Sequence, residues 1–290
     1  MKHKIAILGG SLRERIVAES LRANHFSVAA YAVDNADHIQ STSAEECLTG
    51  ASALILPVRS NDENGQIGGT SELCPVTVTE DLLGSLSPKA TIYCGIGSPY
   101  LRELSDKTGH PLKEIMEYDA VAVPNADLTA EGTVDYVMKR TVVSLADLRI
   151  TVFGFGRVGK ACARLFSAVG SRVTVFCRSE TDIRKGRELG FDTRYYFGAS
   201  AVLPKTDLLI NTVPAVVVTH KEVSLLKRGS LIIDLSSMPG GVDRVAAETC
   251  GIESVMLPGL PGNYAPVSAG RVLASYYLEV LKNFRGGDVQ

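Results

Sequence analysis

Short apolar runs alternate with helix-length segments along the chain, and turn residues separate them. In the first half the apolar runs are KIAIL (4–8), SVAAY (27–31), ALILPV (53–58) and TIYC (91–94). In the second half they are ITVF (150–153), RVTVF (172–176), a run at 193–196, DLLINT (207–212), SLIIDL (230–235) and SVML (254–257). Short apolar strands that alternate with helices are typical of parallel sheets buried on both sides. The pattern predicts an α/β chain with two doubly wound parallel-sheet domains.

The turn after the first strand of the second half is rich in glycine. It reads FGFGRVGKACARLF and places Gly154, Gly156 and Gly159 at GxGxxG spacing between a strand and an alanine-rich helix. In such turns the first glycine makes the tight turn, the second admits a pyrophosphate, and the third lets helix and strand pack closely. The phosphates then lie on unpaired amides at the helix N-terminus. A GxGxxG alone is weak evidence, but this context indicates a Rossmann-type dinucleotide site.

The end of the next strand indicates which dinucleotide binds. An NAD site usually carries Asp or Glu about 20 residues beyond the glycines, where it binds the ribose 2′-hydroxyl. Here RVTVF runs instead into Cys177, Arg178 and Ser179. A guanidinium would attract a 2′-phosphate, whereas a carboxylate would repel it. We therefore predict NADP, with Arg184 as a second cation; the alternative is that both arginines are solvated surface residues.

Two further loops follow strands of the same predicted sheet. Residues 211–214, NTVP, follow the fourth strand, and residues 234–243, DLSSMPGGVD, include the end of the fifth strand and the loop after it. Because the carboxyl ends of parallel strands share one edge, both loops should flank the nicotinamide half of the cofactor. The alternative is that they are ordinary strand-ending turns, with Asp243 as a helix cap. The predicted cofactor-binding residues are Gly154, Phe155, Gly156, Arg157, Val158, Gly159, Arg178, Ser179, Arg184, Thr212, Val213, Pro214, Leu235, Ser236 and Ser237.

Two helical segments set the predicted domain limits. The segment from Thr129 to about Leu145 has apolar residues at helical spacing, with Thr129 as a candidate N-cap. The last segment, from Ser268 to about Phe284, would cross back onto the first domain as in two-domain dehydrogenases. We therefore predict a substrate domain (1–127), a joining helix (128–147), an NADP domain (148–267) and a C-terminal helix (268–290) that completes the first domain. The active site would lie in the cleft between the domains.

Composition argues against several classes of function. The net charge of −2 gives no basic field for nucleic acid, and 45% hydrophobic residues support sizeable cores. No apolar stretch has the length of a signal peptide or membrane span, which predicts a cytoplasmic protein without membrane association. The six cysteines form no CxxC pair, so we expect reduced core residues and no metal site. The polar segment 59–75 is either a functional loop or a disordered surface loop.

Five segments, in this order, carry a resemblance to a known family. They are PNADLTAEGTVDYVM, FGFGRVGKACARLF, INTVPA, DLSSMPGGVD and LPGLPGNYAPVSAG. The chain resembles the dipicolinate synthase A chains of spore-forming bacteria over nearly its whole length. The resemblance implies NADP-linked oxidation of 4-hydroxy-tetrahydrodipicolinate, from the lysine pathway, to dipicolinate in the mother-cell cytoplasm during sporulation. It also implies a flavoprotein-like B chain as partner, and a homo-oligomer is expected because such enzymes commonly form one.

A substrate with two carboxylates calls for cationic or amide-rich contacts, preferably arginine. Arg13, at the head of the first helix, and Arg59, directly after ALILPV, are the candidate arginines. Ser11 and Thr129 are further predicted substrate-binding residues, and Glu131 is the candidate for proton transfer at the domain junction. The alternatives are surface or structural arginines, and a capping box formed by Thr129 and Glu131.

Two segments depart from the family pattern. LPGNYAPVSAG has Asn263 and Val267 where the family has lysines, and the first turn reads GGSLR instead of GGDAR. If those lysines bind substrate in the family, this chain uses other cations or has a different function.

Two other functions remain open. One is another NADP-dependent dehydrogenase of a hydroxy or amino acid. Such hydroxyacid enzymes use a histidine after the last nucleotide-domain strands, whereas the last histidine here is His220, before the DLSS loop. His110 is predicted to be a surface turn residue, and His3, His25 and His38 have no partnering motif. The other function is an NADP-sensing regulatory protein without chemistry of its own; substrate-dependent NADPH absorbance from the purified chain would separate the two.

Overall fold

A computed structural model describes residues 3–36, 39–68 and 76–284 of the chain. The described residues divide into two compact units. The first comprises the chain up to Pro124 together with the segment from Ala265 onward, and the second is Asn125–Tyr264. Each unit is built on a parallel sheet, which confirms the predicted α/β fold with two doubly wound domains.

The first unit follows the strand and helix alternation of its sequence. In chain order it contains β1 (Lys4–Gly10), α1 (Leu12–Ala23), β2 (Ser27–Val33), α2 (Ala44–Leu48), β3 (Ala51–Ile55), β4 (Gln66–Ile67), β5 (Val76–Thr77), α3 (Glu80–Leu83), β6 (Thr91–Cys94), α4 (Pro99–Thr108) and β7 (Leu112–Glu114). Within the described residues the main sheet has the order β2-β1-β3-β6-β7 with parallel pairing, and β4 and β5 form an antiparallel pair. The helix α5 (Asp119–Met138) then leads into the second unit.

The second unit repeats this plan. In chain order it contains β8 (Arg149–Phe153), α6 (Arg157–Ala168), β9 (Arg172–Cys177), α7 (Glu180–Glu188), β10 (Asp192–Tyr195), β11 (Leu208–Asn211), α8 (His220–Val223), β12 (Leu231–Asp234), α9 (Arg244–Thr249), β13 (Glu253–Met256) and α10 (Leu260–Tyr264). The described strands form one parallel sheet in the order β10-β9-β8-β11-β12-β13. The helix α11 (Pro266–Val280) belongs to the first unit.

Both sheets are buried on both faces because their strands carry apolar residues at successive positions. In β1, Ile5 and Ile7 pack with α1 and α11, whereas Ala6 and Leu8 pack on the other face. The α1–α11 contact is close: a Cβ on Gly270 would lie 2.9 Å from Ile16 Cβ. The strands therefore read as continuous apolar runs, as the sequence pattern predicted.

The start of α5 differs from the sequence-based prediction. The helix begins at Asp119, ten residues before Thr129, and Pro124 lies inside it. Pro124 and the cap-like Thr129 favour a later start locally, but Val121 and Ala122 are buried and extend the helix towards its N-terminus. The prediction of Thr129 as an N-cap is therefore wrong, and the alternative role of Glu131 in a capping box with Thr129 is excluded. After Met138 the chain reaches a 3-10 turn at Leu145–Asp147.

The predictions for His110, for segment 59–75 and for the last helix differ in part from the structure. His110 is not a surface residue: it is buried, and its Nδ1 lies 3.1 Å from the Ala90 carbonyl oxygen. The described part of segment 59–75 is partly structured, since its residues Gln66–Ile67 pair with β5; residues 69–75, with Cys74, lie outside the described residues. The last helix ends at Val280 and a 3-10 turn follows at Lys282–Phe284. His38 and the predicted helical segment 285–290 also lie outside the described residues.

Candidate functional site

The glycine turn after β8 has a backbone that other residues could not easily adopt. Gly154 has a φ of +104°, and a Cβ there would lie 2.3 Å from Thr212 Oγ1. A Cβ on Gly159 would lie 2.2 Å from the Gly154 carbonyl oxygen, so α6 packs directly on the turn. At Gly156 a Cβ would meet none of the described atoms within 4 Å. The contacts of the chain therefore require two of the three glycines, and the open space beside Gly156 leaves room for a ligand to approach the backbone.

The N-terminus of α6 suits an anion. Gly156 is its N-cap and offers no side-chain acceptor, and no acidic residue lies in the first turn. The first amides of a helix lack partners within it, and the helix dipole favours negative charge there. The Lys160 ammonium lies 4.9 Å from the centre of the buried Phe155 ring. This arrangement fits the pyrophosphate of a dinucleotide.

The end of β9 presents an exposed arginine after a buried cysteine. Cys177 is buried, Arg178 is exposed, and Ser179 is the N-cap of α7. The Ser179 hydroxyl accepts a hydrogen bond from the Asp182 amide and donates one to Asp182 Oδ2 over 2.7 Å. The carboxylate of Asp182 is thus held by its own helix cap. Arg184 is also exposed, one turn further along α7.

The loops after β11 and β12 are joined by a buried polar network that was not predicted. The Asp234 carboxylate is 4% exposed and accepts hydrogen bonds from Asn211 Nδ2, from the amide and hydroxyl of Ser236, and from the Gly241 amide. Asn211 also donates to the Val213 carbonyl over 3.0 Å. These bonds fix the shape of each loop, and the Asn211–Asp234 bond joins the two.

The structure brings most predicted cofactor residues of the second unit to one edge of its sheet. Thr212 donates to the Phe153 carbonyl, which places the loop after β11 against the glycine turn. The Leu235 amide donates to the Asn211 carbonyl, which places the loop after β12 beside it. Pro214 and Ser237 are exposed at the ends of these loops. All of them follow the carboxyl ends of parallel strands, where doubly wound sheets bind ligands.

The corresponding turn of the first unit contains a buried carboxylate. The Ser11 amide donates to Glu14 Oε2 over 2.9 Å, and Glu14 is only 2% exposed. Its Oε1 atom makes no hydrogen bond among the described residues and lies 3.9 Å from Arg13 Nε. Arg13 and Glu14 therefore form a long ion pair beside the turn, without a hydrogen bond between these two atoms. Sequence reasoning named Ser11 and Arg13 but missed Glu14, although Ser11-x-x-Glu14 is the spacing of a capping box.

Arg59 lies at the same edge, after β3. It is exposed, and its backbone forms a parallel bridge with Ile96, after β6. Beside it is a buried cluster in which Asn61 Oδ1 accepts hydrogen bonds from Ser60 Oγ (2.8 Å) and Ser98 Oγ (3.0 Å). Ser98 is also the N-cap of α4. The structure therefore places Ser11, Arg13 and Arg59 at the carboxyl edge of one sheet.

A bidentate ion pair shapes the loop after β6. Arg102 donates from Nε and Nη2 to the two oxygens of Glu114, over 2.7 and 2.8 Å. Glu114 also accepts from the Gly97 amide. The hydrogen bonds from Arg102 are the main reason why the pKa of Glu114 is lowered, and they outweigh the opposing effect of burial. The carboxylate thus remains ionised and fixes the backbone in front of α4.

Thr129 and Glu131 lie on α5, in the second unit. The Thr129 hydroxyl donates to the Asn125 carbonyl over 2.9 Å, and Thr129 is 8% exposed. Glu131, two residues further along the helix, is exposed. The two departures from the family pattern, Asn263 on α10 and Val267 on α11, are both exposed. Neither supplies a cation at the positions where lysines were expected.

The cysteines lie mostly in the cores. Burial raises the pKa of the Cys47 and Cys177 thiols to about 11, and of the Cys94 and Cys162 thiols to about 12. They therefore remain protonated at neutral pH and are poor nucleophiles. Among residues 3–36, 39–68 and 76–284 there is no group of three or more side chains that could hold a metal ion. The same ranges contain no helix long and apolar enough to span a bilayer.

Comparison with known proteins gives two family matches. Residues 4–116 match the family described as the N-terminal domain of the dipicolinate synthase A chain. Residues 125–237 match the NAD binding domain of D-isomer specific 2-hydroxyacid dehydrogenases. The second unit is therefore a dehydrogenase-type domain for a nicotinamide dinucleotide.

Individual relatives match over nearly the whole chain. The dipicolinate synthase A chain of Bacillus subtilis (strain 168) is 29% identical over 284 residues, which cover 96% of this chain and 95% of the relative. The crystal structure of the A chain from Bacillus halodurans has a TM-score of 0.89, with 29% identity and coverage of 97% and 98% of the two chains. The crystal structure of the Bacillus subtilis A chain has a TM-score of 0.91, with 28% identity and coverage of 99% and 98%.

Proposed function

The predicted resemblance to dipicolinate synthase A chains is confirmed over nearly the whole chain, and from it we propose that this protein catalyses the NADP-linked oxidation of 4-hydroxy-tetrahydrodipicolinate to dipicolinate. The observation that carries the proposal is the glycine turn, in which Gly156 is required by no described contact of the chain itself. A dehydrogenase-type domain with such a turn serves hydride transfer. We propose the mother-cell cytoplasm during sporulation as its location, on the same resemblance.

The second unit supplies the cofactor site of this proposal. The amides of the turn and of the α6 N-terminus hold the pyrophosphate, and Arg178 with Arg184 holds the 2′-phosphate of NADP. The loops at 212–214 and 235–237 hold the nicotinamide half. When bound, NADP accepts a hydride from the substrate. The network of Asn211 and Asp234 keeps these two loops in place, so that the ring is oriented before reaction.

The first unit and α5 supply the substrate contacts of this proposal. Arg13 and Arg59, at the carboxyl edge of the first sheet, bind the two carboxylates, with Ser11 and Thr129 as further polar contacts. Glu131 accepts the proton that leaves with the hydride. Loss of one water, one hydride and one proton converts the hydroxylated tetrahydro ring into the aromatic pyridine. The chain therefore needs to orient the ring and move one proton. Formation of the aromatic ring favours the loss of water.

The relatives are A chains by name, and we propose a flavoprotein-like B chain as the partner of this chain. The test is an assay that feeds 4-hydroxy-tetrahydrodipicolinate and NADP to the chain, with and without that B chain, while NADPH and dipicolinate are recorded together. The proposal predicts equal amounts of both products from the pair or from the single chain. NADP binding without either product, under both conditions, would contradict it.

A second candidate is an NADP-dependent dehydrogenase of another small carboxylate. It is favoured by Asn263 and Val267, which are exposed and uncharged where the resemblance leads us to expect lysines. The same assay separates the two functions when other hydroxy acids and amino acids are supplied. NADPH formation from one of these, without activity on the lysine-pathway compound, would favour this candidate.

A further inference from the structure

Strands β8 and β9 share a sequence alternation that lies on one face of the second sheet. They read RITVF and RVTVF, and their register pairs Arg149 with Arg172, Thr151 with Thr174, and Phe153 with Phe176. Because alternate residues of a strand point to the same face, these pairs form three rows. The phenylalanine row is in the core, where the two rings lie 5.3 Å apart. The arginine row lies at the amino end of the strands.

The connection between β10 and β11 leaves this arginine row uncovered. It consists of two short 3-10 turns, Tyr196–Ala201 and Leu203–Lys205, instead of a long helix. Tyr196 packs against Phe153 at a ring distance of 5.3 Å, so the turns cover the phenylalanine row. At the amino end they leave a cavity of about 320 Å³. The cavity is at the low end of the volumes of small-molecule pockets, about 300–1,000 Å³.

The side chains that line this cavity are strongly cationic. They include Arg149, Arg172, Arg194 and Lys205. The Asp192 carboxylate lies at the border of the cavity, where it accepts a hydrogen bond from the Thr174 hydroxyl of the lining. Arg194 is paired with Asp192. Arg149 and Arg172 are directly opposite on strands about 4.8 Å apart, where like charges are destabilising. An anion between the two guanidinium groups would reduce this repulsion.

The floor of the cavity is polar and ordered. Thr151 and Thr206 are each 1% exposed, and their hydroxyl oxygens lie 2.7 Å apart. The nearby Asp207 accepts a hydrogen bond from the backbone amide of Arg149 and pairs with Lys227. A guanidinium group donates several hydrogen bonds at once, which suits the oxygens of phosphate.

We propose that this cavity is a binding site for a small multivalent phosphate compound, separate from the dinucleotide site. The glycine turn follows the carboxyl end of β8, whereas Arg149 is its first residue. A strand of this length separates the two by roughly 15 Å, at about 3.3 Å per residue. One phosphate group cannot occupy both places, so the site is available for a regulatory ligand while the cofactor is bound.

The test is calorimetric titration of the whole chain with inorganic pyrophosphate at low ionic strength. NADP or NAD is kept at saturation so that the glycine turn is covered. We expect one pyrophosphate per chain and at least tenfold weaker binding by the Arg149→Gln/Arg172→Gln double variant. Arg228→Gln is the matched control, because it removes an exposed arginine before β12, at the same edge of the sheet but outside the cavity. Equal affinities of the double variant and the natural chain would overturn the proposal.

A second readout does not depend on a titration signal. Pyrophosphate should raise the melting temperature of the natural chain and of Arg228→Gln, but not that of the double variant. Without pyrophosphate the double variant should melt at a higher temperature than the natural chain, because the repulsion between Arg149 and Arg172 is removed. A natural chain whose melting temperature does not respond to millimolar pyrophosphate would also contradict the proposal.

Discussion

The two units share a doubly wound sheet, yet their first turns serve different purposes. In the first unit, Gly9 and Gly10 lead to Ser11, whose amide binds the buried Glu14 carboxylate. A Cβ on Gly10 would lie 2.4 Å from Glu14 Cγ, so the chain's own acid fills the space over the turn. In the second unit a Cβ on Gly156 would meet none of the described atoms within 4 Å. The space over the first turn is filled by the chain's own Glu14, whereas the second turn has open space beside Gly156.

The comparison shows how two similar glycine turns differ in what lies over them. A helix N-terminus after a glycine turn favours negative charge in both. Glu14 satisfies that preference within the first unit, which leaves Arg13 at the edge of the turn with an ion-pair partner 3.9 Å away. The second unit has Gly156 at the cap, so no side chain of the cap residue bonds the first amides of α6.

The largest expected effect comes from closing the open turn with Gly156→Thr. Threonine caps helices about as well as glycine, and Gly156 has an ordinary φ of −74°, so folding should be unaffected. Its side chain occupies the space of the pyrophosphate, so we expect dinucleotide affinity to fall by about 100-fold, or about 2.7 kcal/mol. Titration calorimetry and thermal melting measure the two quantities. Gly198→Thr is the control, because a Cβ there also meets no described atom within 4 Å. A folded variant with full affinity would remove the turn from the site.

The second effect is expected from removing the charge of Arg178 at the end of β9. Arg178→Ala should weaken NADP binding by about 1–3 kcal/mol, the loss of a hydrogen-bonding partner of a charged group. NAD binding should be nearly unchanged because NAD has no 2′-phosphate. Competition titrations with both cofactors give the ratio, and Arg228→Ala controls for the loss of one exposed arginine. An equal loss for both cofactors would exclude the 2′-phosphate role.

The substitution Glu14→Ala tests whether the Glu14 side chain stabilises the turn after β1. This change removes the acceptor of the Ser11 amide, so we expect the free energy of unfolding to fall by about 1–3 kcal/mol in urea titrations. NADP affinity should not change, because Glu14 belongs to the other unit. Glu188→Ala, at the exposed end of α7, is the control and should have little effect on stability. Unchanged stability after Glu14→Ala would show that the carboxylate does not hold the turn.

The smallest effect concerns the Arg102–Glu114 pair. Since the folded-state pKa of Glu114 is lowered, its contribution is complete above the unfolded pKa and is lost as the pH falls through the folded pKa. Arg102→Gln should therefore cost about 0.5–1 kcal/mol at pH 7, a small value because Arg102 is 51% exposed. The difference from the natural chain should vanish in acid, as urea titrations over a pH series would show. Lys107→Gln is the control for the loss of one exposed ion pair, because it breaks the pair between Lys107 of α4 and Glu80 of α3. A difference that persists in acid would assign the effect to packing.

Much of the sheet architecture could be predicted because each buried parallel strand corresponds to a short apolar run in the sequence. Within the described residues, β7 was missed because its sequence, LKE, is short and polar. The start of α5 was wrong because burial of Val121 and Ala122 overrides the local signals of Pro124 and Thr129. The local sequence likewise does not show the contact of the buried His110, because its ring nitrogen lies beside the Ala90 carbonyl oxygen, 20 residues away in the chain.

The candidate site was predictable only where one local segment forms it. The glycine turn is such a segment, because its spacing reports backbone conformation directly. The Asn211–Asp234 bond joins residues 23 positions apart, and its partners Ser236 and Gly241 become relevant only when the two loops are adjacent. Glu14 carried a local signal, the capping-box spacing with Ser11, which the charge-based search for substrate contacts did not use.

The stoichiometry of NADP binding tests the contrast between the two turns most directly. Titration calorimetry of the whole chain should give one NADP per chain, and the Gly156→Thr variant should lose that binding while Glu14→Ala retains it. Two molecules per chain, or one that binds the Gly156→Thr variant with undiminished affinity, would contradict the assignment of the dinucleotide to the second unit alone.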